Sequence, residues 1–161
     1  MDLTDRLLQH DAWTTSILIE RASELTDAQL DLDMGIGPGS VRALLAHIVW
    51  NTEAWSASMD DDAPERLPEP PSLDAIAQLH ASATRRLARV ASAVRDRRAW
   101  DDHWIDRLDR EPGEKTFGGA IAHVLTHSMH HRAQLLHMYR RLGLTELPEG
   151  DVLTWERTAR E

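Results

Sequence analysis

Nine histidines are spread along the 161 residues, and five of them fall between His123 and His137. The segment reads His123-Val124-Leu125-Thr126-His127-Ser128-Met129-His130-His131-Arg132-Ala133-Gln134. His127 and His131 stand four residues apart. On a helix their rings lie about 40° apart and one turn along, so both can reach one metal ion. Ala120, Val124, Gln134, Leu135, Met138 and Leu142 share the same sector. The pair therefore faces a core, where an uncompensated polar ring is costly. A competing reading is two hydrogen-bonded core rings. His130 lies about 60° from His127 and about 100° from His131, the place of a neighbour and not of a ligand. His123, one turn before His127, reads as a neighbouring or surface ring more readily than as a ligand.

Two imidazoles make a weak site, and a third must come from another helix. His47 is the histidine inside the second helical segment, with Asn51 one turn later. The apolar centre of that segment lies near Ile48 and Trp55, about 100° from His47, which suits a site at a seam between helices. His10, His80 and His103 stand outside the expected site. Glu53, the nearest acid in sequence, lies about 240° round the helix from His47. Trp13 and Trp55 are the aromatic residues expected to border the site. Packing alone explains most tryptophans at helical spacing.

Four long periodic segments position these residues. The first runs from about 3 to 25, with Leu7, Trp13, Ile17, Leu18 and Leu25 at apolar positions. Gly35-Ile36-Gly37-Pro38-Gly39 marks a loop. Ser40 is the expected N-cap of a second helix over 40–59. Pro64, Pro68, Pro70 and Pro71 forbid helix in the linker that follows. A third helix spans 72–98, starting at Ser72, and its arginines read as a solvated face. Residues 100–117 break the pattern, as a short hairpin or an irregular crossover would. The last long helix spans 117–142, with Gly143 just past its end, and a short helix lies near 151–158. The expected fold is all-α: one domain over 1–161, built as a four-helix bundle with a hairpin or crossover before its last long helix.

Composition narrows the chemistry. There is no Cys, so disulfides, Cys-ligated zinc and a thiol nucleophile from the chain are excluded. The net charge of −9 argues against nucleic acid or an anionic membrane as the main partner. No apolar run approaches the ~18 residues of a bilayer span. The N-terminus lacks the basic start and apolar block of a secretion signal, so a cytoplasmic protein is the expectation.

The chain resembles the DinB-like (DinB/YfiT) superfamily of metal-binding four-helix bundles. The likeness runs from His10-Asp11-Ala12-Trp13 through Gly39-Ser40-Val41-Arg42-Ala43-Leu44-Leu45-Ala46-His47-Ile48. It is sharpest at His127-Ser128-Met129-His130-His131-Arg132-Ala133-Gln134, which is similar to the superfamily's His-x-x-His-His-Arg-x-Gln signature. Ala133 stands where a Gly is usual. The resemblance implies that His47, His127 and His131 are the metal ligands, and that the protein is a homodimer. Three neutral imidazoles leave the ion its full charge and an open position, the catalytic pattern. Zinc or nickel is the expected ion, with iron and manganese also compatible. Some members are bacillithiol- or mycothiol-dependent. That implies a metal-dependent transfer of a small-molecule thiol to an electrophile, with Asn51 and Gln134 orienting groups at the metal. The alternatives are a metal-dependent hydrolase and a non-catalytic metal-binding scaffold associated with stress. The sequence names no catalytic residue beyond the ligands.

Overall fold

The computed structural model describes residues 1–108 and 111–159. Its elements, in order, are α1 (Leu3–Ala22), α2 (Asp27–Leu30), α3 (Val41–Met59), α4 (Leu73–Arg97), β1 (His103–Asp106), β2 (Gly113–Thr116), α5 (Phe117–Arg141) and α6 (Val152–Thr158). Each long helix begins at a side-chain cap that satisfies a free backbone N–H of the first turn. Asp2 accepts from the Asp5 amide, Ser40 from Ala43, Ser72 from Ala75 and Thr116 from Gly119.

The four long helices close a square. α1 and α3 each pack against both α4 and α5, so α1 stands diagonally opposite α3. One half of the core gathers Leu18, Leu44, Leu45, Ile48, Ile76, Leu135 and Tyr139. The other gathers Leu87, Val90, Val94, Ala120, Ile121 and Val124. The Tyr139 hydroxyl donates to the Leu18 carbonyl oxygen at 2.6 Å, tying α5 to α1 inside this core.

The bundle is all-α apart from one hairpin, as expected. Two boundaries differ in detail. The first helix ends at Ala22, and Leu25 is buried from the turn that follows. Burial alone gave Leu25 its apolar character, which mimics helical spacing. Thr26 then caps the one-turn α2. The segment before α5 is a regular antiparallel hairpin, pairing His103 with Thr116 and Asp106 with Gly113.

Several acids and arginines fasten the connections. Arg42 on α3 pairs with Asp27 and Asp31, which holds α2 against the start of α3. Glu53, 1% exposed, accepts from the Glu65 amide at 3.0 Å and faces Arg86 of α4. It thereby anchors the proline-rich linker, hereafter the strap. Arg86 also pairs with Asp62, Arg89 with Asp60, and Arg95 with Asp2 and Asp5. Much of the arginine-rich face of α4 is thus matched by acids from the strap and the N-terminus.

A second polar group crosses the bundle interior. Asp11 of α1 pairs with Arg132 of α5, and Arg132 also donates to the Thr15 hydroxyl at 3.3 Å. The His80 ring meets the Ala12 carbonyl at 3.0 Å, and the His10 ring meets the Gly150 carbonyl at 2.8 Å. Each ring donates to its carbonyl, which satisfies a polar group that burial would otherwise penalise. His10 and His80, which the sequence placed outside the site, therefore act in packing.

Candidate metal centre

His47 reaches inward from α3, and His127 and His131 from α5, where the two helices pack side by side. The Nε2 atoms of His47 and His127 are 3.4 Å apart, and those of His127 and His131 are 3.1 Å apart. One nitrogen from each ring lies within 4.8 Å of the other two. Four-coordinate zinc with Zn–N bonds of ~2.0–2.1 Å sets its nitrogens about 3.3 Å apart. The His47–His127 and His127–His131 separations match that spacing, and the third pair lies within 4.8 Å. Among the described residues, no other group of three or more metal-binding side chains converges.

The rings differ in how they are held. The Nδ1–H of His131 donates to Gln134 Oε1 at 2.8 Å, which leaves its Nε2 lone pair facing the other two histidines. The Gln134 amide donates in turn to His130 Nε2 at 3.1 Å. This arrangement fixes both the orientation of the amide and the tautomer of His131. His127 Nδ1 is buried with no hydrogen-bond partner. His127 is instead wedged between rings, with centroids 4.3 Å from His131, 5.1 Å from His47 and 5.3 Å from His123.

The electrostatics favour uncharged imidazoles. Burial lowers the pKa of His127 to about 4, helped by the neighbouring His131, His47, His123 and His130. Burial also lowers that of His47, with His131 adding to the effect. A neutral ring is the form that donates a lone pair to a metal.

Two cavities share Trp50 in their walls; His47 lines one of them and His123 the other. The larger, about 820 Å³, lies between α3, the hairpin and α5, and His123, Asn51 and Trp55 line it. The smaller, about 640 Å³, lies under the strap, and His47, Arg42 and Arg66 line it. The Arg66 guanidinium sits over the Trp50 ring, 5.4 Å from its centroid.

Each residue singled out from the sequence now has a place. His47, His127 and His131 come together. His123 packs tilted against Trp55, with ring centroids 5.0 Å apart, and lines the larger cavity. His130 meets the centre through Gln134 and an edge-to-face contact with the His131 ring. Asn51 lines the larger cavity, and its Oδ1 is buried without a partner. Gln134 orients a histidine, where a role toward metal-bound groups was expected. Trp55 lines the larger cavity beside His123, and Trp13 lines neither cavity. Trp50 was the aromatic residue that sequence reasoning underrated. Its spacing of three residues from His47 was the available signal.

No curated protein matches the chain. The family model described as "DinB family" matches residues 1–159. With that match over nearly its whole length and a helical bundle to accompany it, the chain belongs to the DinB family.

Proposed function

We propose that His47, His127 and His131 hold a divalent transition-metal ion, with zinc or nickel the best candidates. We propose further that the protein uses it to transfer a small-molecule thiol to an electrophile. The convergence of three imidazole nitrogens, one of them on a ring that lines a cavity, carries this reading. An all-imidazole donor set leaves the ion's charge uncompensated, and such an ion supplies Lewis acidity that favours the thiolate form of a bound thiol. Every other task falls to the chain. Gln134 and His130 hold His131 in the donor tautomer. Trp50 and Trp55 offer apolar walls for the body of an electrophile. Two cavities that share Trp50 suit a reaction with two substrates.

Hydrolysis is the weaker alternative. It needs a general base near the ion, commonly a carboxylate. Glu53 does not meet that need, because its carboxylate is committed to the Glu65 amide and faces Arg86. A homodimer remains part of this reading, on family resemblance.

The test uses metal-loaded protein, a panel of bacillithiol, mycothiol and glutathione, and a reactive electrophile. Conjugation that requires the metal and disappears in His127→Ala supports the reading. Absence of metal-dependent conjugation with all three thiols removes the transferase assignment. A metal-holding protein would remain.

A further inference from the structure

Gly37 sits in the tight loop that precedes α3. Its φ of +53° is in the left-handed region, which favours glycine. The loop is fixed on both sides of it. The Met34 amide donates to the Gly39 carbonyl at 2.8 Å, and the Gly39 amide to the Ile36 carbonyl at 3.0 Å. A Cβ placed on Gly37 would lie 2.8 Å from Gln134 Oε1 and 3.6 Å from Leu44 Cδ1. The first distance is too short for real atoms. That oxygen is the one that accepts from His131 Nδ1. Gly35, two residues earlier, has a similar φ of +68°, but a Cβ there meets nothing within 4 Å.

We infer that Gly37 is a positioning residue of the metal centre: its missing side chain leaves the space in which Gln134 holds His131 in the donor tautomer, so the 35–39 loop sets metal affinity. This rests on the proposed metal centre. The Gln134 carboxamide is the end of a flexible side chain. A methyl at position 37 displaces it at little cost to folding and breaks its hydrogen bond to His131. Hydrogen-bond partners of metal-bound histidines typically govern 10–100-fold in metal affinity.

The experiment measures zinc affinity of the full chain by competition with a chromogenic chelator. The chains compared are wild type, G37A, G35A, Q134A and the G37A/Q134A double variant. G37A is expected to bind zinc at least ~10-fold more weakly than wild type. G35A, with equal backbone strain but open space, is expected to match wild type. Once Q134A has removed the carboxamide, G37A has nothing left to displace. The double variant should then bind no more weakly than Q134A alone. In the metal-free chain, the ¹⁵N and ¹H signals of His131 Nδ1–H should shift in G37A and not in G35A.

Several outcomes overturn the inference while leaving the metal centre standing. These are a G37A affinity equal to wild type, a G35A loss as large as that of G37A, or additive losses in the double variant. A G37A chain that fails to fold overturns it too, since the claim is that only the carboxamide has to move. Wild-type protein that binds no zinc removes the metal centre itself, and this inference with it.

Discussion

Asp11 of α1 and Arg132 of α5 form an ion pair in which each side chain is only 5% exposed. Burial is the larger influence on Asp11 and pushes its carboxyl up, while the guanidinium pulls it down. Removing one partner leaves an uncompensated charge inside the bundle. Asp11→Ala is expected to cost about 3–5 kcal/mol of stability, read as a lower urea midpoint. Replacing both residues together, as Asp11→Leu with Arg132→Met, should recover most of that loss. A single variant as stable as wild type would show that the pair does not hold α1 to α5.

The metal assignment predicts a pattern of stoichiometry. His131→Ala and His47→Ala should lose the ion on dialysis, as elemental analysis reads it. His130→Ala should retain it at reduced affinity, because its ring acts through Gln134. Excess zinc should raise the melting point of wild type, by the mass action of any ligand that binds only the folded state. It should leave that of His131→Ala unchanged. Full zinc content in His131→Ala would refute the assignment.

Acid should weaken the metal-free chain. Unfolded imidazoles take up protons below about pH 6.5. Folded His127 resists protonation down to about 4, and burial lowers His10, His47 and His80 as well. The unfolded state therefore binds more protons in that window. The stability these rings contribute is fully present above pH 6.5 and is lost as pH falls toward 4. Asp11, with its carboxyl raised by burial, acts in the opposite sense. Urea midpoints measured in chelator at pH 7.5, 6 and 5 should fall in that order. A flat series would mean that the four rings are not selectively neutral in the fold.

Glu53 predicts how the strap is held. Its buried carboxylate accepts from the Glu65 amide and faces Arg86. Glu53→Ala should free residues 60–71 from the bundle, seen as faster proteolytic cleavage within them at unchanged zinc content. Cleavage at the wild-type rate would show that the prolines, the Arg86–Asp62 and Arg89–Asp60 pairs, and Arg42, which donates to the Pro71 carbonyl, suffice.

Much of this arrangement was legible in the residues. His127 and His131 are visible because a four-residue spacing repeats on a helix face. Ser40 and Ser72 are visible because a capping hydroxyl precedes an apolar run. His47 was harder, since it lies to the side of the apolar centre of α3. What stayed hidden were contacts between distant segments. Nothing local marks Gly37 as the neighbour of Gln134, or His10 as the partner of the Gly150 carbonyl. Both depend on how loops fold back across the bundle. The pairing of Asp11 with Arg132 likewise joins residues far apart in the chain.

Trp50 divides the space around the histidines, and one indole forms part of both compartments. A change of side chain at position 50 would therefore alter the room on both sides at once. Arg66, resting on the same indole, ties the position of this partition to that of the strap above it.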